Sequence, residues 1–325
     1  MNYQTFYESF NKILDSLFPN RTELVGFVSD VLHLDRRAVS RRLNGDYQFR
    51  MNEVLELCSL LDISLDRLVL QMKSDYYPPS FSYYPLRQLS EKVYSTLYRW
   101  IERYRVAAEE KGSYVLIACN ILPDIFCFQY EYLLRLAKLK GDYYMNDVSV
   151  NPMNSDEVLE EARWKTMREY ISAIFAFEKL LIIWDYNIIP SLIYDIEYFA
   201  QIGYVNAEHK KRLKEELLLL IDKIDSMCKD QQIFAHESSF TFAVSSVNLQ
   251  KSHFVIKGKD LKVAVDSAFY TTYLYVSDPQ IVTSVEHIIW SILKSSVIIS
   301  QSNERERTKF IKEQRTLVEG MESGL

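Results

Sequence analysis

Glycine and proline are scarce, at eight residues each in 325. With so little glycine the usual phosphate cradles are hard to build, and neither a glycine-rich phosphate loop nor a GxSxG nucleophile turn is present. The four cysteines, Cys58, Cys119, Cys127 and Cys228, lie far apart without a CxxC pair. A disulfide scaffold is thereby excluded, and reduced thiols in a cytoplasmic protein are expected. The five histidines are scattered, and His236-Glu237 lacks the second histidine of a zinc-protease helix because position 240 is Phe. No metal or cofactor site follows from these residues, and an enzyme is not expected. The opening MNYQTFYESF has neither a positive leader nor an apolar core of signal-peptide length. Long apolar runs are missing too: Asn120, Pro123 and Asp124 interrupt one, and Glu178, Lys179 and Asp185 another, so buried helices rather than membrane spans are predicted.

What is abundant is apolar and aromatic surface. Hydrophobic residues make up 48% of the chain and tyrosine alone accounts for 23 residues, which describes a folded, helix-rich protein of roughly two or three domains. The net charge of −6 means that any nucleic-acid contact must come from a local patch rather than from the whole chain.

One such patch is written at Asp35–Gly45, DRRAVSRRLNG. Arg36, Arg37, Arg41 and Arg42 fall within seven residues, while Val39 and Leu43, four apart, share one inward face of a helix. Asp35 suits the N-cap and Asn44-Gly45 the left-handed stop. Upstream, Phe6, Phe10, Ile13, Leu14 and Leu17 recur at helical spacing. Leu24, Val25, Val28, Val31 and Leu32 then give a second helix, with Thr22 as its expected cap. A fourth helix carries Val54, Leu55, Leu57, Cys58 and Leu61, and a short turn follows Ser64. Residues 1–72 hold eight basic and ten acidic side chains, yet Arg36–Arg50 holds five arginines against one aspartate, a local charge of +4.

The order Val28-Ser29, Leu32, Leu34, then Val39-Ser40-Arg41-Arg42-Leu43-Asn44-Gly45, with Leu57 through Leu68 behind it, resembles the helix-turn-helix of the Cro and phage-repressor (XRE-like) regulators. The resemblance covers about the first fifth of the chain. Where that family often has Gly in the turn, this chain has His33, one of the residue types enriched at positive φ. The resemblance implies a lambda-repressor-like five-helix domain whose third helix enters the major groove of double-stranded DNA. It implies base contacts from Arg36, Arg37, Ser40 and Arg41. Thr22, Asn44 and Tyr47 are expected at phosphates, and Arg42, turned away on the helix, at phosphate or solvent.

Beyond Met72 a Pro/Tyr linker (73–85) is expected, with Pro78-Pro79 as its stiff centre. Residues 86–232 read as an all-helical dimerisation or effector domain, with helices at Leu89–Glu110, Tyr114–Leu139, Asp156–Trp184 and Ala207–Lys229. Asn154 and Glu157 have the spacing of a capping pair. Residues 233–325 read as a small α+β domain. Its short strands fall at Phe240–Val244, Ser252–Ile256, Leu261–Val265 and Phe269–Val276, followed by a helix started by Asp278-Pro279 and a charged helix over Ser302–Met321. The fold class expected is mainly α.

Two functions fit this reading. In the first the chain is a sequence-specific transcriptional regulator that binds a pseudo-palindromic operator as a homodimer, with a small molecule or peptide as effector of the C-terminal region. In the second it is a non-enzymatic interaction protein that uses the helix-turn-helix for protein contacts.

Overall fold

The computed structural model describes residues 3–61, 63–70, 81–85, 91–145, 151–153, 161–229, 239–269, 272–300 and 303–321. The chain divides into two compact units, Met1–Ser80 and Phe81–Leu325.

The first unit consists of α1 (Tyr3–Leu17), α2 (Arg21–Leu32), α3 (Arg36–Leu43), α4 (Met51–Leu60) and α5 (Leu65–Leu70). Its core is built from the apolar stripes, with Phe10, Leu14, Leu24, Val28, Val39, Val54 and Leu57 inaccessible to solvent. Each such side chain contributes about 1.5–3 kcal/mol by leaving water. Phe49, from the loop after α3, closes this core edge-on against Phe10, with ring centroids 5.6 Å apart. Asn20, not Thr22, caps α2: its side chain accepts from the Glu23 N–H at 2.9 Å. Thr22 lies one step inside the helix, so its hydroxyl is left exposed in the first turn.

The second unit is organised on one eight-stranded mixed sheet. In chain order it comprises β1 (Phe81–Pro85), α6 (Glu91–Ala108), β2 (Tyr114–Cys119), α7 (Asp124–Cys127), α8 (Glu131–Met145), α9 (Glu161–Phe175) and β3 (Lys179–Asp185). Then follow α10 (Ile188–Gln201), α11 (Ala207–Lys229), β4 (Ser239–Ser245), β5 (His253–Lys257), β6 (Lys262–Phe269), β7 (Thr272–Val276), α12 (Pro279–Lys294), β8 (Ser296–Ile298) and α13 (Glu304–Glu319). The strand order is β1-β7-β6-β5-β2-β3-β4-β8. Strands β2, β3 and β4 are parallel, joined by helical crossovers, while the others run antiparallel to their neighbours. One face carries the large core, where Ile117, Ile182, Trp184 and Phe242 meet side chains of α6 to α11 and α13. On the other face Leu116, Ile183 and Val255 pack with Val282 and Ile289 of α12.

This architecture overturns the mainly α expectation. The protein is α/β, and the middle of the chain is not an all-α domain, because β2 and β3 lie within 86–232 and pair with strands from the C-terminal segment. The physical reason is burial on both faces. Five of the six residues of YVLIAC and six of the seven of KLLIIWD are buried, so the period of two that marks a half-exposed strand is absent. Nor is there a separate small C-terminal domain: β4 to β8 complete the same sheet. Part of the expected linker, 81–85, is strand β1, and the capping pair Asn154 and Glu157 lies outside the described residues.

Candidate nucleic-acid interface

The turn between α2 and α3 is closed by backbone geometry. His33 has φ 51° and ψ 40°, in the left-handed region. That conformation lets the Leu34 N–H reach the Ser29 carbonyl at 3.2 Å, and the Ser29 hydroxyl in turn donates to the Leu34 carbonyl at 2.5 Å. Asp35 then caps α3, its carboxylate accepting from the Ala38 N–H at 2.8 Å. With Val39 and Leu43 fixed inward, a rotation of about 100° per residue turns Arg37 and Arg41 away from the core and puts Ser40 on the flank, while Arg36, three residues before Val39, lies near the inward stripe and is exposed at the first position of the helix.

Arg36, Arg37 and Arg41 are exposed, and among the described residues none of the three forms an ion pair. Beyond the end of α3, Gly45 at φ +84° turns the chain back, so that the N–H groups of Asp46 and Tyr47 reach the Arg41 carbonyl at 2.9 and 3.3 Å. This return sets the Tyr47 ring under the Arg41 guanidinium, whose carbon lies 4.3 Å from the ring centroid, a cation–π contact.

Arg42 behaves differently from its neighbours. Its guanidinium faces inward and binds both oxygens of Glu53 on α4, Nε to Oε2 at 3.0 Å and Nη2 to Oε1 at 3.1 Å, and its side chain is 16% exposed. The expected phosphate role of Arg42 is therefore corrected: its charge is spent inside the unit. Asn44, also expected at phosphate, is exposed, but its side-chain oxygen accepts from Arg21 at 3.0 Å, and Arg21 also pairs with Asp15. Three supporting residues were not visible in the sequence. Asn11 of α1 donates to the carbonyls of Arg42 and Leu43, both at 3.2 Å, satisfying the free end of α3; Arg21 and Glu53 are the others. Each lies at least eleven residues from the residue it contacts in or just after α3, beyond any local periodicity.

In the second unit an apolar cleft opens between α6, α9 and the sheet, lined by Tyr104, Asp124, Tyr170, Phe254 and Tyr275 among others. Burial pushes the Tyr104 hydroxyl well above its usual pKa. Among the described residues no three His, Cys, Asp or Glu side chains are grouped to hold a metal ion, and no helix is long and apolar enough to cross a membrane. Comparison with protein-family models, curated proteins and solved structures finds no match to the chain.

Proposed function

We propose that the chain is a sequence-specific DNA-binding transcriptional regulator, with α3 as the helix that enters the major groove. The observation that carries this reading is the division of labour among the arginines. Arg42 and Arg21 are consumed by internal partners, whereas Arg36, Arg37 and Arg41 are exposed and form no ion pair among the described residues, Arg37 and Arg41 on the side of α3 opposite its buried residues and Arg36 at its first position. Arg is the side chain that makes two parallel hydrogen bonds to guanine O6 and N7. Ser40 joins these three as a base contact, and Thr22, Asn44 and Tyr47 meet phosphates at the rim. The protein acts as a homodimer on a pseudo-palindromic site, its two α3 helices about 34 Å apart. Its four cysteines are buried and free, in keeping with a reducing, cytoplasmic setting. The cleft beside Asp124 and Tyr170 is the place for a small effector.

The test is fluorescence anisotropy of the full chain against a selected duplex at two salt concentrations. A two-part motif should be enriched, affinity should fall steeply with salt, and Arg36→Ala or Arg41→Ala should each relax preference at one base position by about 1–3 kcal/mol. Parent-like selectivity in both variants would remove α3 as the reading helix. The second reading, a protein-contact module, is favoured by Met51 and Leu55, one turn apart on α4 and exposed by 57% and 49%. Binding through them would change little with salt.

A further inference from the structure

We propose that the second unit carries its own contact for a nucleic-acid phosphate backbone, a row of lysines that crosses the sheet on the α12 side. Register places them together. Lys262 of β6 pairs with Lys257 of β5, Lys257 with Tyr114 of β2, and Tyr114 with Lys179 of β3. Residues paired across neighbouring strands share a face, so Lys262, Lys257, Tyr114 and Lys179 form one line over four adjacent strands. At about 4.8 Å per strand the line is roughly 14 Å long. Two residues further along the same strands, Ala264, Val255, Leu116 and Leu181 pack in the α12 core. The period of two therefore puts the lysines on that same side.

The charges on this row are poorly compensated. Glu286 of α12 accepts a hydrogen bond from the Tyr114 hydroxyl at 2.5 Å and lies 3.6 Å from the Lys257 ammonium. Lys257 also sits 5.1 Å from the Tyr114 ring centroid. Lys179 and Lys262 are exposed and form no ion pair among the described residues. Lys259, in the turn between β5 and β6, adds a further exposed cation, with Asp260 beside it. Asp278, which follows β7, spends one carboxylate oxygen on the N–H groups of Gln280 and Ile281. Two lysines directly opposite each other in a hairpin destabilise it, and this occurs in a chain whose net charge is −6. The hairpin is held firmly nonetheless, because Gly258 is seated against the backbone of Ala107.

A rigid line of cations of this length spans several phosphates of a duplex, which carries one charge per about 1.7 Å of its axis. Choosing nucleic acid over other polyanions rests on the reading of α3 given above. The experiment compares the full-length parent with Lys179→Glu/Lys262→Glu, and with the milder Lys179→Gln/Lys262→Gln, on a fluorescein-labelled duplex of random sequence at about 50 and 200 mM salt. Both positions are exposed, and circular dichroism checks that the fold is kept. The glutamate pair should bind roughly tenfold more weakly at the lower salt, with the salt slope reduced by about 2. The glutamine pair should fall between it and the parent, and Lys179→Arg/Lys262→Arg should match the parent. Affinity and slope unchanged in the glutamate pair would overturn the proposal, even if the parent selects an operator through α3. Unselective duplex binding that needs the lysines but not Arg36 or Arg41 would keep the row and remove the operator reading. A parent that binds no duplex at either salt would overturn both.

Discussion

Arg42 and Glu53 form a two-pronged ion pair between α3 and α4, with Nε–Oε2 and Nη2–Oε1 distances of 3.0 and 3.1 Å. Glu53 Oε2 also accepts the Arg50 N–H at 2.8 Å, so one carboxylate secures the loop as well as the helix. Glu53→Ala should therefore cost about 2 kcal/mol, the scale of hydrogen bonds to a charged group. Arg42→Ala should cost a similar amount, and the double variant less than their sum. Hydrogen exchange of the α3 and α4 amides reads this directly. A sum that is simply additive would show that the pair is not coupled.

His33 holds φ 51° in a turn where a branched side chain cannot sit comfortably. His33→Val should destabilise the first unit by about 1–2 kcal/mol, the usual scale of left-handed backbone strain. His33→Gly should stay within about 1 kcal/mol of the parent, since relief of strain is offset by the greater freedom of the unfolded chain. Urea denaturation followed by far-UV circular dichroism separates the two outcomes.

Gly258 is where the β5–β6 hairpin touches α6. A Cβ built there would lie 2.2 Å from the Ala107 carbonyl oxygen, and because that oxygen is backbone it cannot swing aside. Gly258→Ala should lower stability by about 1–3 kcal/mol, the cost of overpacking, and should loosen Lys257 and Lys262. Gly112→Ala makes a useful contrast: nothing lies within 4 Å of its Cβ, and only the positive φ of 83° opposes it. A thermal melt ranks them, and equal midpoints would contradict the contact argument.

His209 is 3% exposed, and burial, with the nearby Arg135 adding to it, lowers its pKa. A histidine depressed in the fold is neutral there while the unfolded chain still takes up a proton near its ordinary value of about 6.5. Stability is therefore complete above about pH 6.5 and declines as pH falls from there through the lowered folded pKa. His209→Gln should flatten that decline. The check is the urea midpoint of both proteins at several pH values between about 5 and 7.5, and parallel curves would count against His209 as the source.

Much of the first unit could be read from spacing alone. Phe10, Leu14, Val28, Val39 and Leu57 announced their helices, and Asp35 and Gly45 marked the two ends of α3. The hairpin strands were legible as well, because their short apolar runs are bounded by turn residues such as Gly258 and Lys259. The sheet centre was not. Leu116, Ile117, Ile182 and Ile183 are apolar on both sides of their strands, and an unbroken apolar run carries no period to distinguish strand from buried helix. At the interface, the exposed positions of Arg37 and Arg41 follow from the helix angle, whereas Arg36, angled toward the buried stripe, is exposed at the start of the helix. The inward turn of Arg42 depends on Glu53, eleven residues away on another helix. The lysine row could not be found by any scan along the chain, since Lys179 and Lys262 fall into one line only through the pairing of four strands.

The placement of β2 has a consequence for synthesis. It begins at Tyr114, yet one of its two neighbours is β5, which begins at His253. A chain leaving the ribosome at about 5–20 residues per second must hold this apolar strand with one edge unpaired for some seconds before its partner emerges. Chaperone demand should consequently peak while residues between β2 and β5 are being made. Slowing translation across α10 and α11 should lengthen that exposure and raise the aggregated fraction, with the folded protein itself unchanged.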